Sequence, residues 1–467
     1  MSTEQEVSSS TDLLYQLDDR PPVAKAFFAG LQHVLASFVG IITPTLIIGG
    51  VLGLGEHIPY LISMALIVSG VGTFIQAKKI GPVGAGMICV QGTSFAFLGS
   101  VLAAGFLAKN NGGGPEEILS LIFGVCFLGA FIEIFLSQML SKMKRIITPL
   151  VTGIVITIIG ISLIKVGMTD LAGGFKAPDF GSLPNLALGF GVLVVIIALN
   201  RSANPWLRLS SIVIGLIVGM ISAMFMGKVD FSSVGSQPLM SIPVPFKYGF
   251  SFDWVAFLPI ALIYFITAIE SAGDITANCS VSKQPIKGEG YIKRVSSGVL
   301  GDGVNSLLAA TFNTFPNTTF SQNNGVIQLT GVASRYIGYY IALILVILGL
   351  FPILGAVLQQ IPKPVLGGAT LVMFGTVAAA GIKIIASEQL NRRKLLIMAV
   401  SFGVGLGVTM VPDLLQQAPK IVQNVFGSAV TSGGLVAIIL SLLLPEEKTA
   451  PAAEHKDYAY AKPTATN

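Results

Sequence analysis

The chain has 467 residues, of which 53% are apolar and only 11% are charged, with a formal net charge of +5. Soluble globular proteins carry about 25% charged residues, so this composition excludes a water-soluble fold. The basic residues are dispersed in short clusters, which argues against a nucleic-acid partner. The repeated apolar runs predict an all-α integral membrane protein.

The first 26 residues are polar and acidic and resemble no cleavable signal, so the first helix is expected to direct insertion. The apolar stretches that follow separate into about 14 transmembrane spans. The predicted spans are 27–52, 58–77, 83–107, 118–140, 147–168, 185–199, 210–227, 254–278, 292–313, 317–333, 336–358, 365–386, 394–411 and 428–444. The third and tenth spans are interrupted by glycine and polar residues and resemble a continuous helix least.

The distribution of basic residues supports this count. If the N-terminus is cytoplasmic, about three quarters of the 28 lysine and arginine residues fall in the cytoplasmic segments, as expected for multi-pass membrane proteins. The sequence therefore predicts that both termini are cytoplasmic and that the protein resides in the cell (inner) membrane.

The spans divide as seven plus seven around a long hydrophilic stretch. Because seven is odd, two related halves would have opposite orientations, which makes a 7+7 inverted repeat. A sequence echo supports the repeat, since Pro149, Gly153 and Gly160 recur at the same offsets as Pro364, Gly368 and Gly375. The predicted parts are an N-terminal tail 1–26, a first repeat 27–227, an extracytoplasmic connector 228–253, a second repeat 254–444 and a C-terminal tail 445–467. Both tails are expected to be flexible.

Acidic residues inside the predicted spans are few. Glu270, Asp274 and Asn278 are spaced four residues apart, so a helix would place them on one stripe, and Asp302 lies in the next span. An intramembrane carboxylate costs at least about 2.5 kcal/mol and usually faces a cavity or a partner. No basic residue lies near the middle of an apolar run to pair with these acids, so they predict a functional site. Glu133, in a plainly apolar context, gives less indication of function.

The two interrupted spans predict where that site lies. Residues 313–338 form the densest polar patch in the membrane region, and Pro316 argues against one continuous helix. The matching interruption in the first half is 83–99. Non-helical backbone at membrane depth is tolerated where it lines a cavity, and paired interruptions indicate a midplane substrate site. Close packing of small residues would explain the glycines but not the amide side chains.

The polar groups indicate the class of ligand. The Glu270 carboxylate accepts two N–H donors, while the Gln322 amide accepts one hydrogen bond and donates another. Together they match the alternating N–H and C=O edges of an oxopurine or an oxopyrimidine, and Phe97 is available for stacking. An anionic ligand would favour arginine or lysine, and neither is present there.

At these residues the chain resembles the nucleobase-ascorbate transporter family, also called nucleobase-cation symporter-2. The resemblance is carried by QNNGVIQLTG at 322–331, by ITAIESAGDITA, GDGVNSL and FPNTTFSQNNG in the second half, and by QGTSF at 91–95. It covers nearly the whole chain and is strongest to bacterial xanthine and uric acid permeases.

The resemblance implies a core domain of spans 1–4 and 8–11 that moves against a gate domain of spans 5–7 and 12–14, usually in a homodimer. Spans 3 and 10 would contribute short opposed strands. Carried over by position, the substrate-binding residues are Glu270, Gln322, Phe97, Ala96, Ser321 and Asn323, and the proton-coupling residues are Glu270, Asp274, Asp302 and His33.

Two positions bear on the substrate. Uracil transporters that resemble this family carry glutamate where this chain has Gln322, which favours oxidised purines here. Xanthine-selective relatives carry asparagine where this chain has Ala96, so a hydrogen-bonding amide is replaced by a methyl group. Uric acid or 8-substituted xanthines are therefore expected as substrates alongside xanthine, or instead of it.

The expected function is proton-coupled import of a purine nucleobase by alternating access, with the lipid bilayer and a second copy of the chain as partners. The main alternative is an anion transporter or channel on a similar inverted-repeat scaffold. An integral-membrane enzyme would need clustered metal ligands, but His33, His57 and His455 are far apart and no HExxH run occurs. We therefore expect no enzymatic activity, no cofactor and no metal site.

Overall fold

The computed structural model describes residues 13–140, 148–174, 177–232, 234–236 and 238–445, which are mostly helical. The helices of the first half are α1 (Val23–Leu52), α2 (Ile58–Lys78), α3 (Leu98–Asn110), α4 (Pro115–Met139), α5 (Pro149–Leu171), α6 (Leu183–Asn200), α7 (Pro205–Leu209) and α8 (Ser211–Phe225). Those of the second half are α9 (Trp254–Val281), α10 (Glu289–Thr311), α11 (Gln322–Thr330), α12 (Ile337–Leu350), α13 (Pro352–Gln359), α14 (Lys363–Ala386), α15 (Arg392–Met410), α16 (Lys420–Phe426) and α17 (Ala429–Leu443). Each half also holds one short strand, β1 (Gln91–Thr93) or β2 (Asn317–Thr319).

Eight helices of the described part are long and apolar enough to cross a membrane, namely α1, α2, α4, α5, α6, α9, α14 and α15. The number rises to ten if each of two bent pairs is one span: α12 with α13, bent by 76°, and α16 with α17, bent by 79°. Shorter apolar helices are present at α3 and α8. The chain is therefore a multi-pass membrane protein with a mostly helical fold.

The bend between α12 and α13 divides a stretch that the sequence predicts as one span. Pro352 opens α13, and Phe351 before it has an extended conformation with φ −106° and ψ 94°. A residue that precedes proline is disfavoured in the helical region because the proline ring crowds its backbone. The proline therefore ends one helix and starts the next at this point.

The two strands lie where the sequence predicts interruptions of spans 3 and 10. They pair antiparallel, with Gln91 opposite Thr319 and Thr93 opposite Asn317. Each strand is followed by a helix of its own half, since β1 leads through a short 3-10 turn into α3 and β2 leads into α11. The first turns of α3 and α11 thus begin next to the strand pair, deep in the fold.

Helices α5 and α14 cross each other at small residues. A Cβ atom on Gly160 would lie 2.3 Å from the Ala378 backbone nitrogen, and one on Gly381 would lie 2.4 Å from Thr157 Oγ1. A Cβ atom on Gly375, the sequence counterpart of Gly160, would meet nothing within 4 Å. Gly160 and Gly375 therefore correspond in sequence position, but only Gly160 packs closely against a neighbouring helix.

We expect Gly160→Ala to destabilise the protein, because the added methyl group meets backbone atoms that cannot rotate away. Overpacking of this kind costs about 1–3 kcal/mol. Gly375→Ala is the matched control, since the site is open and alanine favours the helix. Thermal unfolding in detergent measures both variants. Equal unfolding temperatures for the two variants would contradict the close crossing.

Residues 13–22 are bound to the fold and do not behave as the flexible tail that the sequence predicts. Tyr15 forms a parallel bridge with Val332, and the Arg335 backbone N–H donates to the Leu17 carbonyl at 2.9 Å. Arg335 also pairs with Asp18 at 3.0 Å. These long-range bonds have no local sequence signal. Most of the two predicted tails, 1–12 and 446–467, lies outside the described residues.

Candidate functional site

The polar stripe of α9 faces both interrupted spans. The Asn278 amide donates to the Ile88 carbonyl at 2.6 Å, just before β1. One turn earlier, the Ser321 hydroxyl donates to Asp274 Oδ1 at 2.6 Å, just before α11. The residue before the helix, Asp253, caps its first turn, because its Oδ1 accepts from the backbone N–H of Val255 at 2.7 Å. The stripe predicted from the four-residue spacing is thus brought against β1 and α11.

The side chains of Glu270 and Gln322 have no hydrogen-bond partner among the described residues. The Glu270 Oε2 atom is buried without a hydrogen-bond partner, and neither Glu270 nor Gln322 makes a side-chain hydrogen bond within the described ranges. Gln322 is the first residue of α11, directly after Ser321. Buried polar groups are normally hydrogen-bonded, so the unpartnered Glu270 oxygen, one turn before Asp274 on α9, is a candidate for contact with a ligand.

The Asp302 carboxylate, in contrast, is completely enclosed by donors. Its Oδ1 accepts from the Gln76 amide at 2.7 Å and from the Gln91 amide at 2.6 Å. Its Oδ2 accepts from the Ser271 hydroxyl, and the Thr319 hydroxyl lies 3.0 Å from both oxygens. An ionised carboxylate only accepts hydrogen bonds, so this arrangement suits it. Asp302 therefore ties α2, α9 and α10 to both strands.

His33 and Asn323 form a second buried link, between α1 and α11. The Asn323 amide nitrogen donates to Ser37 Oγ at 2.8 Å, so its oxygen faces His33 Nδ1 at 2.7 Å. His33 Nδ1 must then carry the hydrogen, which leaves His33 Nε2 as a buried nitrogen without a partner. These contacts hold the first turn of α11 against α1, and the support of a substrate pocket by Asn323 stays a prediction.

Ala96 and Phe97 lie in the 3-10 turn between β1 and α3 and are both buried. The Phe97 ring packs edge-on against Tyr264 of α9, with ring centroids 4.5 Å apart. Phe95 makes a similar contact with Phe374 of α14 at 5.3 Å. The rings are therefore held by protein contacts in this conformation, and stacking of Phe97 on a ligand stays a prediction.

Two surface cavities lie away from these residues. One, of about 890 Å³, is lined by the N-terminal segment, α1, α7 and α11, including Lys25, Gln32, Trp206 and Thr330. The other, of about 830 Å³, lies between α5, α15 and the loop around Asp413. Neither Glu270 nor Gln322 lines either cavity. Within the part of the chain that the structure describes, no group of potential ligands could hold a metal ion.

Several residues of this centre escaped the sequence analysis. Gln76, Ser271 and Ser37 each bond to a predicted site residue, but none was singled out. Gln76 is an amide in an otherwise apolar stretch of α2, and this isolated polar residue could have indicated a buried polar contact. Ser271 and Ser37 gave none, because serine is common in membrane helices and commonly bonds to its own helix backbone.

The helices and the polar centre define a multi-pass membrane protein whose two interrupted spans meet at buried polar side chains. The structure resembles the transmembrane domain of a cyanobacterium bicarbonate transporter, BicA, with a TM-score of 0.54, 16% identity, and coverage of 91% of this chain and 99% of that one. At this identity the likeness concerns the fold alone.

The sequence comparisons identify the family. A model named Xan_ur_permease, described as "Permease family", matches residues 24–414. Xanthine permease XanP of Escherichia coli (strain K12) is 48% identical over 446 residues, which cover 94% of this chain and 96% of that protein. Xanthine permease XanQ of the same strain is 46% identical over 441 residues, with coverages of 94% and 95%. The chain belongs to this permease family, as its motifs predicted.

Proposed function

We propose that the protein is a proton-coupled symporter that imports oxidised purine nucleobases, xanthine or uric acid or both, across the cell (inner) membrane. The observation that carries the proposal is the buried Glu270 oxygen without a hydrogen-bond partner. It lies on α9 one turn before Asp274, and Asp274 contacts Ser321 directly before Gln322 at the start of α11. The names of XanP and XanQ, both xanthine permeases, support the substrate class.

The chemistry of the site suits a neutral purine. The Glu270 carboxylate would accept two ring N–H groups, and the Gln322 amide would pair with a neighbouring C=O and N–H. At the starts of α3 and α11 the N–H groups of Leu98, Asn323 and Asn324 already donate to the carbonyls three residues earlier. The backbone around Ala96, Phe97 and Ser321, ahead of these groups, is therefore the proposed partner of the remaining carbonyl oxygens. Ala96, Phe97 and Ser321 would complete the pocket from these two helix starts, with Asn323 supporting it.

The contacts between helices support the 14-span, 7+7 inverted repeat. Helix α2 packs against α12, and their counterparts in the other half, α10 and α4, also pack together. In the same way, α1 contacts α11 while α9 contacts α3, and α6 contacts α8 while α15 contacts α17. An exchange of the two halves converts each of these three contacts into its observed counterpart, as a two-fold relation would.

Alternating access would occur between two groups of helices. The proposed core comprises α1–α4 and α9–α13, and the proposed gate comprises α5–α8 and α14–α17, with most of the close helix pairs inside one group. Phe28 of α1 and Trp206 of α7 meet across the boundary, with ring centroids 6.0 Å apart beside the 890 Å³ cavity. With both termini cytoplasmic, this cavity would be the cytoplasmic entrance to the boundary.

A proton gradient would drive uptake. A proton that enters a cell with an inside-negative potential gains about 2.3 kcal/mol per 100 mV, which concentrates a neutral purine more than tenfold. Glu270 and Asp274 are the proposed proton carriers, since each has a buried carboxylate oxygen without a partner. Roles of Asp302 and His33 in coupling, and assembly as a homodimer, stay predictions.

A competition assay tests the proposed substrate. Cells that lack their own purine permeases would express the chain and take up labelled xanthine in the presence of xanthine, urate, hypoxanthine, guanine or uracil. We expect saturable uptake that xanthine and urate compete and uracil does not. The absence of saturable uptake, together with chloride or sulfate currents that depend on protons, would support the anion transporter instead.

We expect Ala96→Asn to narrow the substrate range. Ala96 is buried in the β1–α3 turn, and an asparagine there would add volume and a hydrogen-bonding amide. Competition by urate should then weaken about tenfold relative to competition by xanthine. Ala96→Ser is the matched control, because it changes the same position but adds little volume. Equal competition by urate in wild type and Ala96→Asn would contradict this account.

A further inference from the structure

Helix α4 carries a carboxyl group that the proposed mechanism does not use. Glu133 is 1% exposed, and neither of its side-chain oxygens has a hydrogen-bond partner. No basic side chain of the described ranges forms an ion pair with it. An ionised carboxylate buried without a donor is very costly, so these surroundings accommodate the neutral acid.

Glu133 lies against the acidic centre of the protein. A Cβ atom on Gly303 of α10 would be 2.9 Å from the Ile134 backbone nitrogen and 3.4 Å from the Glu133 carbonyl carbon, so the two helices touch there. The neighbouring residue on α10 is Asp302, and Glu270 lies on α9, which also packs against α4. The extra carboxyl group thus belongs to the same buried cluster as the proposed substrate acid.

The titratable groups around Glu133 are acidic or neutral. On α10, Asp302 is next to Gly303 at the contact with Glu133 and Ile134, and on α9 Tyr264 packs against Gly129, one turn before Glu133, with Glu270 further along the same helix. Tyr264 is already engaged, since its hydroxyl donates to the Cys126 carbonyl at 3.0 Å. Helix α3 also packs against α4, and the amino group of its Lys109 donates to a backbone carbonyl of α1. None of these contacts supplies a cation to Glu133.

Asp302 and Glu133 differ in the hydrogen-bond donors around their carboxyl groups. Asp302 is enclosed by donors that suit a fixed negative charge, whereas Glu133 has none. Two facing carboxyl groups are costly when both are ionised. A proton in this cluster is therefore more stable on Glu133, because protonation of Asp302 would disrupt hydrogen bonds that its carboxylate accepts.

We propose that Glu133 is a proton-binding residue of the transport cycle, which holds a proton in this conformation and releases it in another. On release, the O–H bond of the acid breaks and the proton passes to water or to the Glu270 carboxylate. The inference rests on the proposed function and adds a third carboxyl group, on α4, to the coupling site.

Glu133→Gln tests the inference, because glutamine preserves the size and neutrality of the protonated acid but cannot release a proton. Purified protein in liposomes would be assayed for labelled xanthine accumulation under an inward proton gradient and for exchange of xanthine at equal concentrations. Accumulation should fall from more than tenfold at about 100 mV to unity, while exchange continues. Glu117→Gln, an exposed position on the same helix, should accumulate xanthine like wild type.

Two results would overturn the inference: wild-type accumulation by Glu133→Gln, or loss of both accumulation and exchange in a variant that elutes and unfolds like wild type. If Glu133→Gln does not fold, Glu133→Asp keeps an acid at the position and should shift the pH profile of uptake, and an unchanged profile would count against the inference.

Infrared difference spectra give a readout that does not depend on transport. A protonated carboxyl stretch should be present in wild type and Glu117→Gln and reduced in Glu133→Gln, and an unchanged band would refute the assignment. The absence of xanthine uptake by wild-type protein would refute the proposed function instead, and the infrared result would still decide the state of Glu133.

Discussion

Replacing Glu270 by glutamine is expected to raise the xanthine concentration for half-maximal uptake by about 10- to 100-fold. Glutamine has nearly the same size but presents one donor and one acceptor where the carboxylate presents two acceptors. Loss of a hydrogen bond to a charged group costs about 1.5–3 kcal/mol, and the amide would also direct an N–H group at a ring N–H of the purine. Radiolabelled uptake over a range of xanthine concentrations measures the change.

The matched control is Glu289→Gln, which makes the same change at an exposed position in the first turn of α10. This variant should retain wild-type uptake. Because membrane insertion must be equal for a fair comparison, both variants would be quantified in the membrane and by gel filtration. Wild-type affinity and rate in Glu270→Gln would remove Glu270 from the substrate site.

Asp302→Asn is expected to produce the largest loss of stability among single polar changes at the centre. The asparagine amide would place a donor among the donors of Gln76, Gln91 and Thr319 and would remove the charge that they stabilise. Leaving several buried donors without an acceptor costs at least about 3 kcal/mol. Since Gln91 and Thr319 lie on the paired strands, xanthine binding should be lost together with stability.

Thermal unfolding of the purified protein in detergent measures this effect. Asp230→Asn is the control, because Asp230 lies in an exposed loop and, among the described residues, its carboxylate bonds to Ser232 two residues away. The unfolding temperature of Asp230→Asn should equal that of wild type. If Asp302→Asn unfolds at the same temperature as well, the network around Asp302 does not hold the strands in place.

The sequence predicts the centre of this fold well where the signal is local. The four-residue spacing of Glu270, Asp274 and Asn278 predicts one helix face, and the structure brings that face to both interrupted spans. Pro316 and the glycines of the third span likewise indicate non-helical backbone, and β1 and β2 occur there. Such features follow from helical periodicity and from the cost of unsatisfied backbone groups in lipid.

Other features depend on contacts between distant parts of the chain. The donors to Asp302 come from α2 and from both strands, and a single sequence does not reveal which amide of an apolar helix faces which acid. The attachment of residues 13–22 to the segment after α11 likewise uses backbone bonds that any sequence could make. The local sequence can predict the bend at Pro352, because proline restricts the conformation of the residue before it. Hydropathy alone does not, since it treats α12 and α13 as one span.

Transport by the purified protein in liposomes tests the central claim most directly. With an inward proton gradient imposed, labelled xanthine should accumulate above its external concentration, unlabelled xanthine and urate should compete, and a proton ionophore should abolish the accumulation. Uptake that only reaches the external concentration, or accumulation that survives the ionophore, would contradict proton-coupled purine import.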